Sequence, residues 1–84
     1  MKQYQFEIIH KQTSIANMVR ATAQTPEIAR AQIVLMYGQT HKVMDLFCDI
    51  NPAHKILGEI DCSDFPEKDI PWLMAQANIV ESSL

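Results

Sequence analysis

The stretch Thr25–Gly38, TPEIARAQIVLMYG, constrains this chain more than any other, because it reads as a helix with both ends marked. Thr25 can accept hydrogen bonds from the first turn. Pro26 has its φ preset for the first helical position, and Glu27 puts an anion where the helix dipole favours one. Gly38 can adopt the left-handed conformation that closes many helices. On a helical wheel the apolar residues fall in two stripes, one of Ala29, Ile33, Met36 and Tyr37, the other of Ile28, Ala31 and Leu35, with Gln32 between them. A surface helix ordinarily buries one such stripe. The second is therefore expected either beneath the C-terminal segment or against a partner, which makes Ile28, Ala31 and Leu35 a candidate oligomer interface.

The flanks of this helix alternate with a period of two, the strand period. Lys2–His10 puts Tyr4, Phe6 and Ile8 on one face and Gln3, Gln5 and Glu7 on the other. Lys11-Gln12-Thr13 is a short polar turn without the Asn-Gly or Asp-Gly signature. Ser14–Ala23 then reads as a second strand, with Ile15, Val19, Ala21 and Ala23 sharing a face with Asn17, and Ala16, Met18, Arg20 and Thr22 opposite. After a loop at Gln39–Lys42, a strand over His41–Ile50 separates Met44, Leu46, Cys48 and Ile50 from Val43, Asp45, Phe47 and Asp49. Asn51-Pro52 signals a turn, and Ile56–Cys62 is a fourth strand with Ile56, Gly58, Ile60 and Cys62 inward. Ser63–Asp69 is polar. Asp69 can cap a last helix with Pro71 in its first turn, an apolar stripe of Ile70, Leu73, Ala77 and Val80, and Trp72 and Met74 beside that stripe as core residues. These segments predict a single α+β domain over residues 1–84, in the order β-β-α-β-β-α, with a small antiparallel sheet and the main helix packed on one face. The third and fourth strands are expected to form a hairpin.

The 84 residues include only 2 Gly and 4 Pro, with 48% hydrophobic content, enough for one core. Two cysteines cannot build a disulfide framework. No apolar run suits a signal peptide or a membrane span, so a cytoplasmic protein is expected. The net charge of −3 is unevenly divided: residues 1–42 carry five bases and two acids, residues 43–84 two bases and eight acids. An acidic half disfavours direct nucleic-acid binding, which needs a basic surface, and suits a basic protein partner.

Little in the chain points to catalysis. Cys48, His54 and Cys62 lack zinc-ligand spacing. Neither thiol has a neighbour in sequence that would lower its pKa. No cofactor is expected. If the third and fourth strands pair, their outer face gathers Asp45, Asp49, Glu59 and Asp61 around Phe47. That arrangement is the expected partner-binding site, with Phe47 as its apolar anchor. The same carboxylates could instead hold a divalent cation in a small metal-dependent enzyme, although no lysine and no basic substrate path accompany them. A third reading is a structural homodimer without a catalytic role.

Val19, Ala21, Thr25-Pro26-Glu27, Ala29, Tyr37-Gly38 and Val43 together form a pattern over Tyr4–Val43: two strands, a helix closing on Tyr-Gly, then a third strand. This half of the chain resembles the small ββαβ proteins of phages and mobile elements, a group that includes anti-CRISPR inhibitors. The resemblance implies a small cytoplasmic protein that binds a host protein complex without catalysis, using an acidic surface to occupy a site meant for nucleic acid. It rests on fold-determining positions, assigns no functional residue, and leaves Asn51–Leu84 outside the pattern.

Overall fold

The computed structural model describes residues 2–48 and 55–82, with 46–48 described as backbone alone. The elements follow the expected α+β order. β1 (Lys2–His10) and β2 (Ala16–Ala23) precede α1 (Pro26–Tyr37), β3 (His41–Cys48) and β4 (Ile56–Asp61). A single 3-10 turn at Glu67–Asp69 leads into α2 (Ile70–Ser82). The strands form one sheet in the order β3-β1-β2-β4.

The first hairpin closes without a glycine. Ser14 takes the left-handed conformation, with φ of 60°. The ring of His10 holds the turn, its Nδ1 accepting from the backbone N–H of Gln12 and Thr13 at 3.2 and 3.3 Å. α1 starts as expected, with the Thr25 hydroxyl accepting from Ile28 N at 3.3 Å. It ends differently: Gly38 stays right-handed at φ −62° and donates to the Val34 carbonyl at 2.8 Å. Glycine is needed there for space. A Cβ would collide with the Val34 carbonyl and stand 2.9 Å from Val80 Cγ1, where α2 crosses. At Gly58 of β4 a Cβ would sit 2.6 Å from the Tyr37 hydroxyl of α1, the far end of a side chain, so the tyrosine and not the backbone would have to give way.

One face of the sheet carries the core, with α1 laid on it and α2 packed on α1. Tyr4, Phe6 and Ile8 of β1, Val19, Ala21 and Ala23 of β2, and Val43 of β3 are buried with Ala29, Ile33 and Val34 of α1 and Leu73 and Ala77 of α2. The inward faces of β1 and β4 follow the expected alternation, except that Ile56 at the start of β4 is exposed. β2 departs from it twice: Ile15 precedes the strand and is exposed, whereas Met18 is buried although it points away from Val19. β3 is read in the opposite phase to the expected one, because Val43 stands opposite Ile8 and both are buried. Both faces of this strand carry apolar residues, so alternation alone could not choose between them.

The largest difference is in strand pairing. β4 does not form a hairpin with β3. It runs parallel beside β2, with Arg20 opposite Glu59 and Thr22 opposite Asp61, so the sheet is mixed. β3 pairs with the far side of β1.

The two stripes of α1 are covered within the chain except at Met36, which is exposed. α2 packs on α1, Ile28 and Ala31 are buried, and Leu35 is half-buried against the same core. An oligomer interface through Ile28, Ala31 and Leu35 is thereby corrected, since a partner would first have to displace α2.

Arg30 links three elements. Its Nε donates to the Met44 carbonyl and Nη2 to the Val43 carbonyl, both at 2.9 Å, while Nη1 and Nη2 reach the two oxygens of Glu81 at 2.8 Å. Asp45 stands 3.1 Å from Nη2. The bidentate bond to Glu81 raises the Arg30 pKa further and pulls the Glu81 carboxyl below its ordinary value.

Candidate functional site

The strand order takes the expected acidic face apart. β3 and β4 are the two edges of the sheet, with β1 and β2 between them, a separation of about 14 Å at the usual strand spacing. Their acids also face opposite sides. Asp45 turns toward the helices, where it meets Arg30, and its side chain is 95% exposed. Glu59 lies beside Arg20 on the uncovered face, with Arg20 Nη1 2.8 Å from Glu59 Oε1. Asp49 lies outside the described residues, and only the backbone of Phe47 is described, opposite Phe6 in the register. Asp45 and Phe47 therefore do not join Glu59 and Asp61 in one surface. The same separation removes the proposed metal-binding quartet, and among the described residues no three His, Cys, Asp or Glu side chains converge on a point.

What the fold does assemble is a charge division between the two ends of the sheet. Asp61, at the end of β4, stands beside Thr22 and hence near the start of β1. From Glu59 to Asp69 the chain carries five acids and one lysine, and Glu59, Asp61, Asp64 and Glu67 are all exposed. Asp61 is held ionised by hydrogen bonds from Ser63, its backbone N–H among them at 2.9 Å, which lower the carboxyl pKa. The chain then enters α2, whose third residue is Trp72. Its indole is 57% exposed. Trp72 was expected in the core beside Leu73; instead Leu73 and Ala77 face inward and Trp72 projects outward with Ile79, seven residues on. Along the chain, then, the acidic run leads directly into an exposed aromatic ring. The stripe of Ile70, Leu73, Ala77 and Val80 is the side that faces the core; Trp72 is misplaced because it extends the apolar surface beside that stripe and the pattern does not mark where burial stops.

Cys62 lies just behind this edge and is buried. Burial, and then the charge of Asp61, push its thiol pKa up, so it behaves as a small apolar side chain and not as a nucleophile.

The opposite end gathers His10, Lys11, His41 and Lys42, because β1 ends where β3 begins. The His10 and His41 rings meet edge to face with centroids 4.8 Å apart, and Tyr37 packs on His41 at 5.9 Å in the same manner. Burial, and then the nearness of His10, lower the His41 pKa from 6.5, with Lys11 adding to the effect. A histidine whose folded pKa lies below its unfolded value binds its proton more readily when unfolded. Its contribution to stability is complete above about pH 6.5 and is lost as pH falls through the folded value. The midpoint of urea unfolding should therefore fall between pH 7 and pH 5, and His41→Gln should flatten that fall. An unchanged slope in the variant would show that another group is responsible.

No family model, curated protein or solved structure matches this chain. No helix among the described residues is long and apolar enough to cross a membrane.

Proposed function

We propose that this protein is a non-enzymatic binding module that docks on a basic protein surface through its acidic end. Glu59, Asp61, Asp64 and Glu67 supply the charge and Trp72 the apolar anchor. The observation that carries the reading is Trp72, an aromatic ring more than half exposed immediately after the most acidic run in the chain. Tryptophan is among the residues most enriched at the energetic centres of interfaces, and surrounding carboxylates steer a cationic partner and fix its register. Asp45 has no part in this surface, because it sits on the far edge of the sheet. A surface of this kind suits an inhibitor that occupies a nucleic-acid site on a host protein, the role implied by the resemblance to small phage and mobile-element proteins.

The test is affinity capture from host lysate with three variants of the protein. Reversal of Glu59, Asp61, Asp64 and Glu67 to lysine should abolish capture, and Trp72→Ala should weaken it at least about tenfold, the range of an interface hot spot. Asp45→Lys should leave it unchanged. Capture that survives the fourfold reversal, with an unaltered circular dichroism spectrum, would remove the acidic end as the docking surface.

A further inference from the structure

The two edges of the sheet differ in how their outer main-chain groups are used. On β3, Arg30 donates to the carbonyls of Val43 and Met44 and so occupies part of that edge. β4 has no such guard among the described residues. Its ladder with β2 is parallel. Thr22 stands opposite Asp61, and the Cys62 N–H donates to the Thr22 carbonyl at 2.8 Å. In a parallel ladder a residue bonded in this way takes its partners from the two neighbours of the residue it faces. Thr22 therefore bonds Ile60 and Cys62, and the N–H and C=O of Asp61 point away from β2. Glu59, two residues earlier and opposite Arg20, is turned the same way. Both residues are exposed, and among the described residues no hydrogen bond closes these four main-chain groups.

An open edge of this kind is a template for a further strand. The side chains decide which strand. Glu59 and Asp61 project from the same, uncovered face of the sheet, where with Gln3, Arg20 and Thr22 they line a polar recess of about 370 Å³. Glu59 gives one oxygen to Arg20, and Asp61 has no cationic partner among the described residues. Ile60, between them, is half-buried against the core on the other face. A second copy of this chain is a poor occupant. With the open groups of two β4 strands paired antiparallel, a carboxylate of one copy would stand opposite a carboxylate of the other, which is destabilising. A strand with Lys or Arg at alternate positions reverses that sign. It places a cation opposite each acid and an intervening apolar residue beside Ile60. The register with β2 is regular only from Gly58 to Asp61, so the template is short.

Resting on the acidic end as the docking surface, the geometry points to strand addition as its mode: an extended segment of the partner, basic at every second position, pairs antiparallel with Glu59 and Asp61 at the free edge of β4. Its main chain closes the open N–H and C=O groups, and its cations lie over the two carboxylates.

The test compares two capped peptides against the intact protein, by calorimetry and by amide hydrogen exchange. The first alternates lysine and valine over about six residues, an ordinary strand length. The second has the same sequence with N-methyl groups on the lysine amides, which face β4 in the antiparallel pairing, so it keeps the charge and loses the donors. The alternating peptide should bind and should slow exchange of the Glu59 and Asp61 amides at least about tenfold, because those N–H groups gain acceptors. The N-methylated peptide should bind at least about tenfold more weakly, a factor that corresponds to about 1.4 kcal/mol. Asp61→Asn, at an exposed position, should weaken the unmodified peptide several-fold. Equal binding of the two peptides would overturn strand addition while leaving the acidic end as a docking surface for cations. No binding at millimolar peptide would overturn it as well, and so would protection of both amides in a dimer without peptide. The docking surface itself is judged separately, by lysate capture with the fourfold reversal, which uses neither peptide.

Discussion

Leu73→Ala should lower the unfolding free energy by about 2–5 kcal/mol, the range for removing a fully buried leucine side chain. Leu73 has no exposed surface, and it and Ala77 are the only buried residues of α2. Alanine at 77 contributes a methyl group. The docking of a 13-residue helix therefore depends on one large side chain, supported by half-buried Ile70, Met74 and Val80 at the margin of the core. Neighbours held in place by the sheet cannot collapse fully into the space left, so a cavity cost adds to the lost burial. The loss should also be unevenly distributed. In hydrogen exchange the amides of α2 should open before those of β1 and β2, which stay hydrogen-bonded to each other along the whole hairpin. A stability loss below about 1 kcal/mol, or equal acceleration of exchange in β1, would mean that α2 is held by something other than Leu73.

Arg30→Ala should cost about 2–3 kcal/mol, the next largest effect, although Arg30 lies at the margin of the core. Its side chain is 18% exposed, and it satisfies two β3 carbonyls and both oxygens of Glu81. Removal leaves the carbonyls of Val43 and Met44 without this donor and frees the C-terminal end of α2. The Asp45 contact adds little, because that carboxylate is almost fully in water. Glu81 is 40% exposed, so solvent discounts its share as well, and Glu81→Gln should cost less than half as much. The acid response separates the two parts. The Glu81 carboxyl has a folded pKa below its unfolded value, so its contribution is present above about pH 4.5 and lost as pH falls through the folded value. Arg30→Ala should abolish this decline between pH 5 and pH 3. For a domain of this size, the loss at neutral pH corresponds to a Tm lower by roughly 10–20 °C. A Tm shift under about 4 °C would show that the guanidinium contacts are replaced by water at little cost.

Both predictions concern α2, whose expected stripe of Ile70, Leu73, Ala77 and Val80 does face the core, while Trp72 beside it does not. The signals that α1 carries are local: a threonine hydroxyl within reach of the first-turn amides, a proline with its φ preset, a glycine at the end. Each acts within a few residues, and they place the helix to within one residue at either end. The strand β1 is equally legible, because Tyr4, Phe6 and Ile8 alternate with polar residues and only one face can be buried. The stripe of α2 through Leu73 and Ala77 is legible too, but apolar side chains beside it leave the edge of burial unmarked, and packing alone decides that Trp72 is exposed. β3 fails for the same reason, since apolar residues on both faces leave its phase to the register with β1.

The chain by itself determined which segments are strands and helices and where α1 begins, because capping, proline geometry and residue alternation are decided within a turn or two of backbone. Tertiary structure alone decided the neighbours: β4 parallel to β2 instead of paired with β3, α2 over the second stripe of α1, and the acids of β3 and β4 on opposite edges. Strand pairing is settled by the total burial of every element at once. No local pattern records that sum, so the charges that look adjacent along the chain end up divided between the two sides of the sheet.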